Sequence, residues 1–263
     1  MIYKCNFLKT ICILTIVFVI LMSCASDPAP QPTEETAEVS ATDDSSTTNL
    51  GMKIETAPEG LLFTFDSIPE DATTLFINLY EGEQDNKQWS DIFGIVVGPK
   101  LEEVRNTKRL LCPFTKMDQP YAVSAQFVRN DEIVSAGDVI ELTPTQNVVS
   151  LVNELTLDLN EDQTGVTLSA EPEFSAPVEY LSRKYDYVLL NFLDENQSIS
   201  SEIYSGDELS CTFIPDTINL IKEHNSELSG DYPSHVVALC NLNYQGVFWK
   251  VLVAKTEDFT VSF

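Results

Sequence analysis

Apolar and polar positions alternate in short runs along most of the chain, and clusters of turn-forming residues separate these runs. β-branched and aromatic residues dominate the runs, and no long 3.6-residue periodicity accompanies them. Between positions 51 and 146, the runs that predict strands are 61–65, 74–80, 92–97, 109–114, 121–128 and 133–142. Asn130-Asp131 predicts a hairpin turn between the last two runs. The pattern predicts an all-β region.

The remainder of the chain repeats this order of runs. Its predicted strands are 155–159, 166–170, 187–193, 209–213, 235–240, 247–254 and 258–263. Asn78 and Asn191 each lie inside a matched apolar run, and Cys112 and Cys211 lie in another matched pair. We interpret the four runs that match in order as two copies of one plan with loop insertions. Chance similarity between apolar runs is the alternative.

Two local signals refine this pattern in the second copy. The polar turn 160–165 ends at Gly165, where we expect a positive φ angle. In the insertion 214–234, Asp216 predicts the N-cap of a short helix that reaches His224 and buries Ile218 and Ile221.

About seven short strands per copy predict two tandem antiparallel β-sandwich domains. Pro120-Tyr121-Ala122-Val123 resembles the penultimate strand of immunoglobulin and fibronectin type III-like modules, in which a Tyr often closes a corner. The second copy departs from this motif, with Ser234 or His235 at that place, and the Trp–disulfide core of antibody domains is absent. The resemblance implies an architecture and no particular function.

The N-terminal segment has the pattern of a secretory signal. Lys4 and Lys9 precede an uncharged apolar run, 10–22, which is too short to span a bilayer as a helix. The run ends in Leu21-Met22-Ser23-Cys24, which resembles the lipobox of bacterial lipoproteins. That resemblance implies cleavage before Cys24 and acylation of Cys24, with palmitate among the added chains; two or three chains give a stable anchor.

These signals predict a domain organisation in four parts. Residues 1–23 are the signal peptide, and residues 24–50 are the lipidated Cys followed by a disordered tether rich in Pro, Thr and acidic residues. Residues 51–146 are the first β-sandwich, and residues 147–263 are a junction segment and the second β-sandwich. The junction segment is too apolar for a free linker, so we expect it to pack between the domains.

The chain is strongly acidic, with a formal net charge of −26, which becomes −28 when residues 1–23 are removed. Such a charge repels phosphate backbones, so nucleic acid is not expected as a partner. The expected partners are membrane lipid, reached through acylated Cys24, and an unidentified protein or glycan.

The sequence predicts no catalytic residue, no metal site and no cofactor. His224 and His235 are the only histidines, and no Gly-x-Ser-x-Gly motif accompanies them. Residues 158–169 begin like a calcium loop but lack its Gly and Glu. Cys112 and Cys211 are expected in the core, and a Cys211–Cys240 disulfide is left open.

Trp89 and Trp249 are the candidate contact residues. Trp89 lies in a polar insertion, and either Phe248 or Trp249 should face outward if their run is a regular strand. An exposed Trp249 beside Lys250 could stack on a sugar or a partner protein, whereas a buried one would cover the domain junction.

The leading hypothesis is a non-enzymatic lipoprotein that displays β-sandwich modules for protein or glycan binding at the cell envelope. The alternative is a structural or assembly subunit of an envelope or surface complex, and a carbohydrate-active enzyme is the third hypothesis. The expected location is a bacterial membrane, with the outer membrane or the cell surface as the leading assignment.

Overall fold

The computed structural model describes residues 48–82, 90–145, 148–193 and 198–263. Residues 47–263 form one compact unit. We call residues 48–145 the first half and residues 148–263 the second half.

The first half contains nine strands and one helix among its described residues. They are β1 (Thr48–Asn49), β2 (Met52–Ala57), β3 (Gly60–Phe65), β4 (Thr74–Glu81), β5 (Ile92–Val97), α1 (Gly98–Thr107), β6 (Arg109–Cys112), β7 (Tyr121–Arg129), β8 (Glu132–Ala136) and β9 (Ile140–Leu142).

The described part of the second half contains eight strands and one helix. They are β10 (Leu157–Leu159), β11 (Val166–Leu168), β12 (Glu179–Phe192), β13 (Ser198–Gly206), β14 (Ser210–Cys211), α2 (Ile214–His224), β15 (Asp231–Tyr244), β16 (Val247–Lys255) and β17 (Phe259–Ser262).

A single eleven-stranded sheet runs through both halves in the order β1-β8-β7-β4-β5-β16-β15-β12-β13, and β9 and β17 pair with β7 and β15. Two three-stranded sheets accompany it, β2-β3-β6 in the first half and β10-β11-β14 in the second. All of these pairs are antiparallel except β1 with β8, which is parallel.

Each half is a β-sandwich, which confirms the predicted all-β fold with immunoglobulin- and fibronectin type III-like modules. The inward-facing residues of the small and large sheets belong to one core cluster. In the first half, Phe65 of β3 meets Phe127 of β7 edge to face, with ring centroids 5.5 Å apart. Alternating apolar residues close this interior, as expected for strands buried on one face.

The Tyr corner expected from the sequence is present in the first half. Tyr121 is 1 % exposed, and its hydroxyl accepts a hydrogen bond of 3.1 Å from the backbone N–H of Lys116. This bond ties the segment before β7 to the core, as a Tyr corner does in immunoglobulin-like domains.

The proposed match between Asn78 and Asn191 is wrong. Asn78 lies between Ile77 and Leu79, which face the core, so its side chain faces away from the core. Asn191 follows Leu189 by two residues and faces inward, where it accepts a hydrogen bond of 2.9 Å from Ser234. When the alignment of two strands is shifted by one residue, every side chain moves to the other face of the sheet. The two apolar runs have similar sequences, so the sequence alone does not reveal this shift.

A glycine–cysteine pair marks the true correspondence between the halves. Cys112 pairs with Leu61, and Cys211 pairs with Val166. The glycine before each partner lies against a cysteine carbonyl. A Cβ added to Gly60 would be 2.2 Å from the Cys112 oxygen, and a Cβ added to Gly165 would be 2.0 Å from the Cys211 oxygen. Gly165 is therefore required by a close approach, and the positive φ expected there occurs instead at Gln163, at 55°.

Both helices differ from expectation. Helix α1 was not predicted; a proline lies in its first turn, and it buries Leu101 and Val104 against the sandwich. Helix α2 begins at Ile214, so Asp216 lies in the first turn rather than at the N-cap. The Asn130-Asp131 hairpin turn is confirmed, with φ angles of 49° and 69°.

Candidate binding surfaces

Cys24, Trp89 and the predicted domain boundary at residues 146 and 147 lie outside the described residues. Acylation of Cys24 and a contact role for Trp89 therefore remain predictions. Trp249 is described, and the structure places it where the two halves meet.

Trp249 is 1 % exposed, so of the two alternatives left by the sequence the buried position at the junction is the one observed, and Trp249 is not an exposed contact residue. It lies in β16 opposite Gly94 of β5, and an added Cβ at Gly94 would be 2.6 Å from the indole. Phe114 of the first half meets the indole edge to face, with centroids 5.6 Å apart. Trp249 thus fills the junction, and its neighbour Phe248 faces the opposite side of the sheet.

The sheet face opposite the two small sheets, which we call the outer face, carries a shallow depression at the junction. Its volume is about 300 Å³, and it is lined by Ile95, Leu181, Asn241, Phe248, Trp249 and Lys250. The Asn241 amide nitrogen donates to the Arg183 carbonyl at 2.9 Å, while its buried oxygen has no hydrogen-bond partner. The depression therefore has an apolar floor, and the Asn241 oxygen is not exposed at its surface.

More buried polar atoms without partners lie on the outer face of the first half. The Asn78 amide nitrogen, the Ser124 hydroxyl and the Gln126 amide oxygen have no hydrogen-bond partner. Asn78 pairs with Ser124, and Gln126 pairs with Phe76, whose ring stacks on Phe93 at 5.5 Å. Buried polar groups are normally hydrogen-bonded. These three atoms are covered by neighbouring side chains, so a ligand on this face would reach them only if those side chains moved.

The second candidate surface is the edge formed by β13. Among the described strands, β13 pairs with β12 alone, and helix α2 lies against part of β13 without pairing with it as a strand. Tyr204 of β13 stacks on Phe213 with centroids 6.2 Å apart, and Phe213 is 47 % exposed. An open edge beside an exposed aromatic ring is a place where an extended segment can add to a sheet.

Two carboxylates and one lysine lie near this edge on the outer face. Lys250 binds Asp186 at 2.5 Å, and Asp186 is 3 % exposed. Burial and the nearby Asp186 raise the pKa of the Glu202 carboxyl, and no described lysine or arginine forms an ion pair with it. The edge therefore carries an acidic group without a direct cationic partner.

A third group of titratable residues surrounds the start of β5. The Asp91 carboxylate accepts a hydrogen bond of 2.7 Å from the Glu81 amide, and burial raises the Asp91 pKa to about 6. Glu81 also binds Lys116 at 2.5 Å. The Asp91 carbonyl accepts a hydrogen bond of 2.8 Å from the amide of Leu252 in the second half, so this group adjoins the junction.

The histidines and cysteines have structural surroundings. His235 contacts Asp258 at 3.3 Å and Phe192 at 4.9 Å between ring centroids, and burial lowers its pKa. Cys112, Cys211 and Cys240 are buried free thiols, so no Cys211–Cys240 disulfide is present. Burial raises the pKa values of Cys112 and Cys240 to about 12, which disfavours reactive thiolates.

Within the described ranges, no group of three or more His, Cys, Asp or Glu side chains is arranged to hold a metal ion. In the same residues, no helix is long and apolar enough to cross a bilayer.

The fold defines a tandem β-sandwich protein in which the two modules share one sheet. No family model matches the chain, and no curated protein matches it. One solved structure similar to the chain is a segment of two fibronectin type III domains from chicken tenascin. The match covers 81 % of this chain and 97 % of that chain, at 8 % sequence identity and a TM-score of 0.26.

The sequence missed the two features that form these surfaces. Strand β13 contains four serines and a glutamate, so its apolar alternation is weak. The Gly94–Trp249 contact joins residues far apart in the chain, and neither position has a local signal for it. The sequence signal for β13 was limited to Ile199 between two serines and Ile203 beside Glu202, a weak alternation of apolar and polar residues.

Proposed function

We propose that this chain is a membrane-anchored lipoprotein that displays a joined pair of β-sandwiches for binding a protein or glycan at the cell envelope, without enzymatic activity. The observation that carries the proposal is the lipobox-like end at Cys24, which precedes in sequence a module whose two halves share one sheet. β1 (Thr48–Asn49) and the buried Leu50, at the end of the range predicted as tether, belong to the module. β1 is one edge of the eleven-stranded sheet, and β13 is the opposite edge.

This arrangement separates an anchored end from a binding end. Eight strand spacings of about 4.8 Å separate β1 from β13, which amounts to about 38 Å. The paired strands β5 and β16 join the halves, so a continuous hydrogen-bonded sheet connects β13 with β1.

The proposal is tested with two cysteine variants in the cells that make the protein. Cys24→Ser should abolish incorporation of a labelled palmitate and release the chain from membranes, whereas Cys12→Ser, inside the predicted signal peptide, should change neither. Equal labelling of both variants would contradict the anchor.

Protease treatment of intact cells then distinguishes the two faces of the membrane. Cleavage beyond the tether, with a periplasmic control protein left whole, would favour binding outside the cell. Protection that disappears only when the outer membrane is broken would favour a partner inside the envelope.

The second candidate, a structural or assembly subunit, is favoured by one observation, the open edge of β13. Isolation of the chain in a complex of fixed stoichiometry would support this role over display of a binding module. For a carbohydrate-active enzyme, the raised pKa of Asp91 is the nearest feature, but its carboxylate is engaged by the Glu81 amide.

A further inference from the structure

The two halves treat the same strand position differently. Strands β5 and β13 each follow the central strand of their half and pair with it, β5 with β4 and β13 with β12. Strand β16 covers the other side of β5, whereas no described strand covers the other side of β13.

The inward-facing residues align the two strands residue by residue. Leu75, Ile77 and Leu79 of β4 and Tyr185, Tyr187 and Leu189 of β12 all face the core at alternate positions. The partner strands support this register, because Leu79 and Leu189 each pair with a valine, and Ile77 and Tyr187 each pair with an alanine. Asn78 then corresponds to Val188. Their partners are Phe93 in β5 and Glu202 in β13.

The strand that covers β5 has a lysine at the matching place. Lys250 of β16 pairs directly opposite Phe93. A strand that added to β13 in the same manner would therefore put the residue in the Lys250 position opposite Glu202. A cation there would meet the acidic group formed by Glu202 and Asp186, for which Lys250 is the only described ion-pair partner.

We propose that the open edge of β13 receives an extended segment of another protein, which adds as an antiparallel strand and places a lysine or arginine beside Glu202. This inference rests on the proposed binding role and names the partner's chemistry. Residues of the added strand that alternate with the basic one would face the core side, where Phe213 is exposed beside Tyr204. The partner segment therefore alternates basic and apolar residues.

A second copy of the chain fits this edge less well. The opposite edge of the sheet, at β8, is partly covered by β1, which pairs with Ser135 and Ala136 of β8. Pairing of two β13 strands would bring two copies of Glu202 and Asp186 together, and each chain has a net charge of −26. Repulsion between these like charges opposes self-association.

The length of the usable edge sets the length of the segment. The register between β12 and β13 shifts at Tyr187 and Val188, which leaves Ile203 as an extra residue. Because bulges interrupt pairing, the regular part of the edge is Ser198–Glu202. A segment of about seven residues is long enough to pair with it.

The test measures, by fluorescence anisotropy, how the chain binds a labelled, end-blocked peptide, Thr-Val-Lys-Val-Lys-Val-Thr. The chain is used as isolated in detergent from the cells that make it, whether or not Cys24 is acylated. Three controls accompany it: the same peptide with Glu in place of Lys, the Lys peptide N-methylated at alternate residues, and the Glu202→Gln chain. The Lys peptide should bind about tenfold more tightly than the Glu peptide, since like charges across an interface are costly. N-methylation should abolish binding because it removes backbone donors, and Glu202→Gln should weaken binding by about two- to fivefold, as expected for one cross-strand ion pair.

Each other outcome overturns the inference. Equal binding of the Lys and Glu peptides would exclude recognition by charge, and undiminished binding of the N-methylated peptide would exclude strand addition. If the Lys peptide does not bind, or if the chain forms a concentration-dependent dimer through β13, a basic segment of another protein is not the ligand of this edge. These results do not depend on acylation of Cys24, so they are distinguishable from failure of the membrane anchor.

Discussion

Strands β5 and β13 occupy the same place in the two halves, yet one is a covered strand and the other is an edge. Strand β5 reads Ile-Phe-Gly-Ile-Val-Val, and its glycine leaves room for the indole of Trp249. Strand β13 reads Ser-Ile-Ser-Ser-Glu-Ile-Tyr-Ser-Gly and carries a charge and a bulge. Polar residues and bulges are features by which natural edge strands resist unintended pairing. A few side chains therefore decide whether a sheet continues.

The largest loss of stability is expected when the Trp249 side chain, which packs against β5 at the junction of the two halves, is removed. Trp249→Ala should lower the free energy of unfolding by about 3–5 kcal/mol, because it empties a closely packed site between the halves. Urea denaturation followed by circular dichroism measures this loss. The matched control is Phe248→Ala, one residue away on the outer face, which should cost less than about half as much; equal losses would contradict the assigned packing.

A pH effect of the next size is expected at the start of β5. The folded Asp91 pKa of about 6 lies above its ordinary value of 3.8, so the folded state binds a proton more tightly than the unfolded state. Stability contributed by this proton is complete below about pH 4 and is lost as the pH rises to 6, with an upper limit of about 3 kcal/mol.

The variant Asp91→Asn isolates this term from those of the other carboxylates. The unfolding free energies of the natural chain and the variant are measured from pH 3.5 to 7. The natural chain should lose stability relative to the variant as the pH rises through this range. A difference that stays constant across this range would show that the Asp91 pKa is not raised.

Enlarging the glycine of β5 tests the same packing from the other side. Gly94→Ala should destabilise the fold by about 1–3 kcal/mol, since the new methyl group overlaps the indole. Combined with Trp249→Leu, the two losses should not add, because one residue makes room for the other. Additive losses in thermal and urea unfolding would mean that the two side chains do not meet.

These results also mark where sequence reasoning succeeded and failed. Runs rich in Val, Ile, Leu and Phe, such as Ile92–Val97, became strands at the predicted places because local alternation reports burial directly. Trp249 was ambiguous because its facing direction depends on a partner strand from the other half. Asn78 and Asn191 show the limit most clearly: the same letter in the same kind of run faces opposite sides, since register is set by pairing across the sheet.

The smallest effect on stability, and the sharpest contrast between the two edges, is expected when β13 is made to resemble β5. Glu202→Phe puts the residue of the Phe93 position at the open edge and should change the unfolding free energy of the monomer by less than about 0.5 kcal/mol, as is usual for partly exposed positions. It should nevertheless promote concentration-dependent association, because it removes the charge that discourages pairing at an edge. Sedimentation velocity at increasing concentration detects this change.

Glu132→Phe at the start of β8, on the edge that β1 partly covers, is the matched control and should remain monomeric. If both variants associate alike, added hydrophobicity alone explains the result; if neither does, the bulge at Ile203 protects the edge and Glu202 serves the partner rather than solubility.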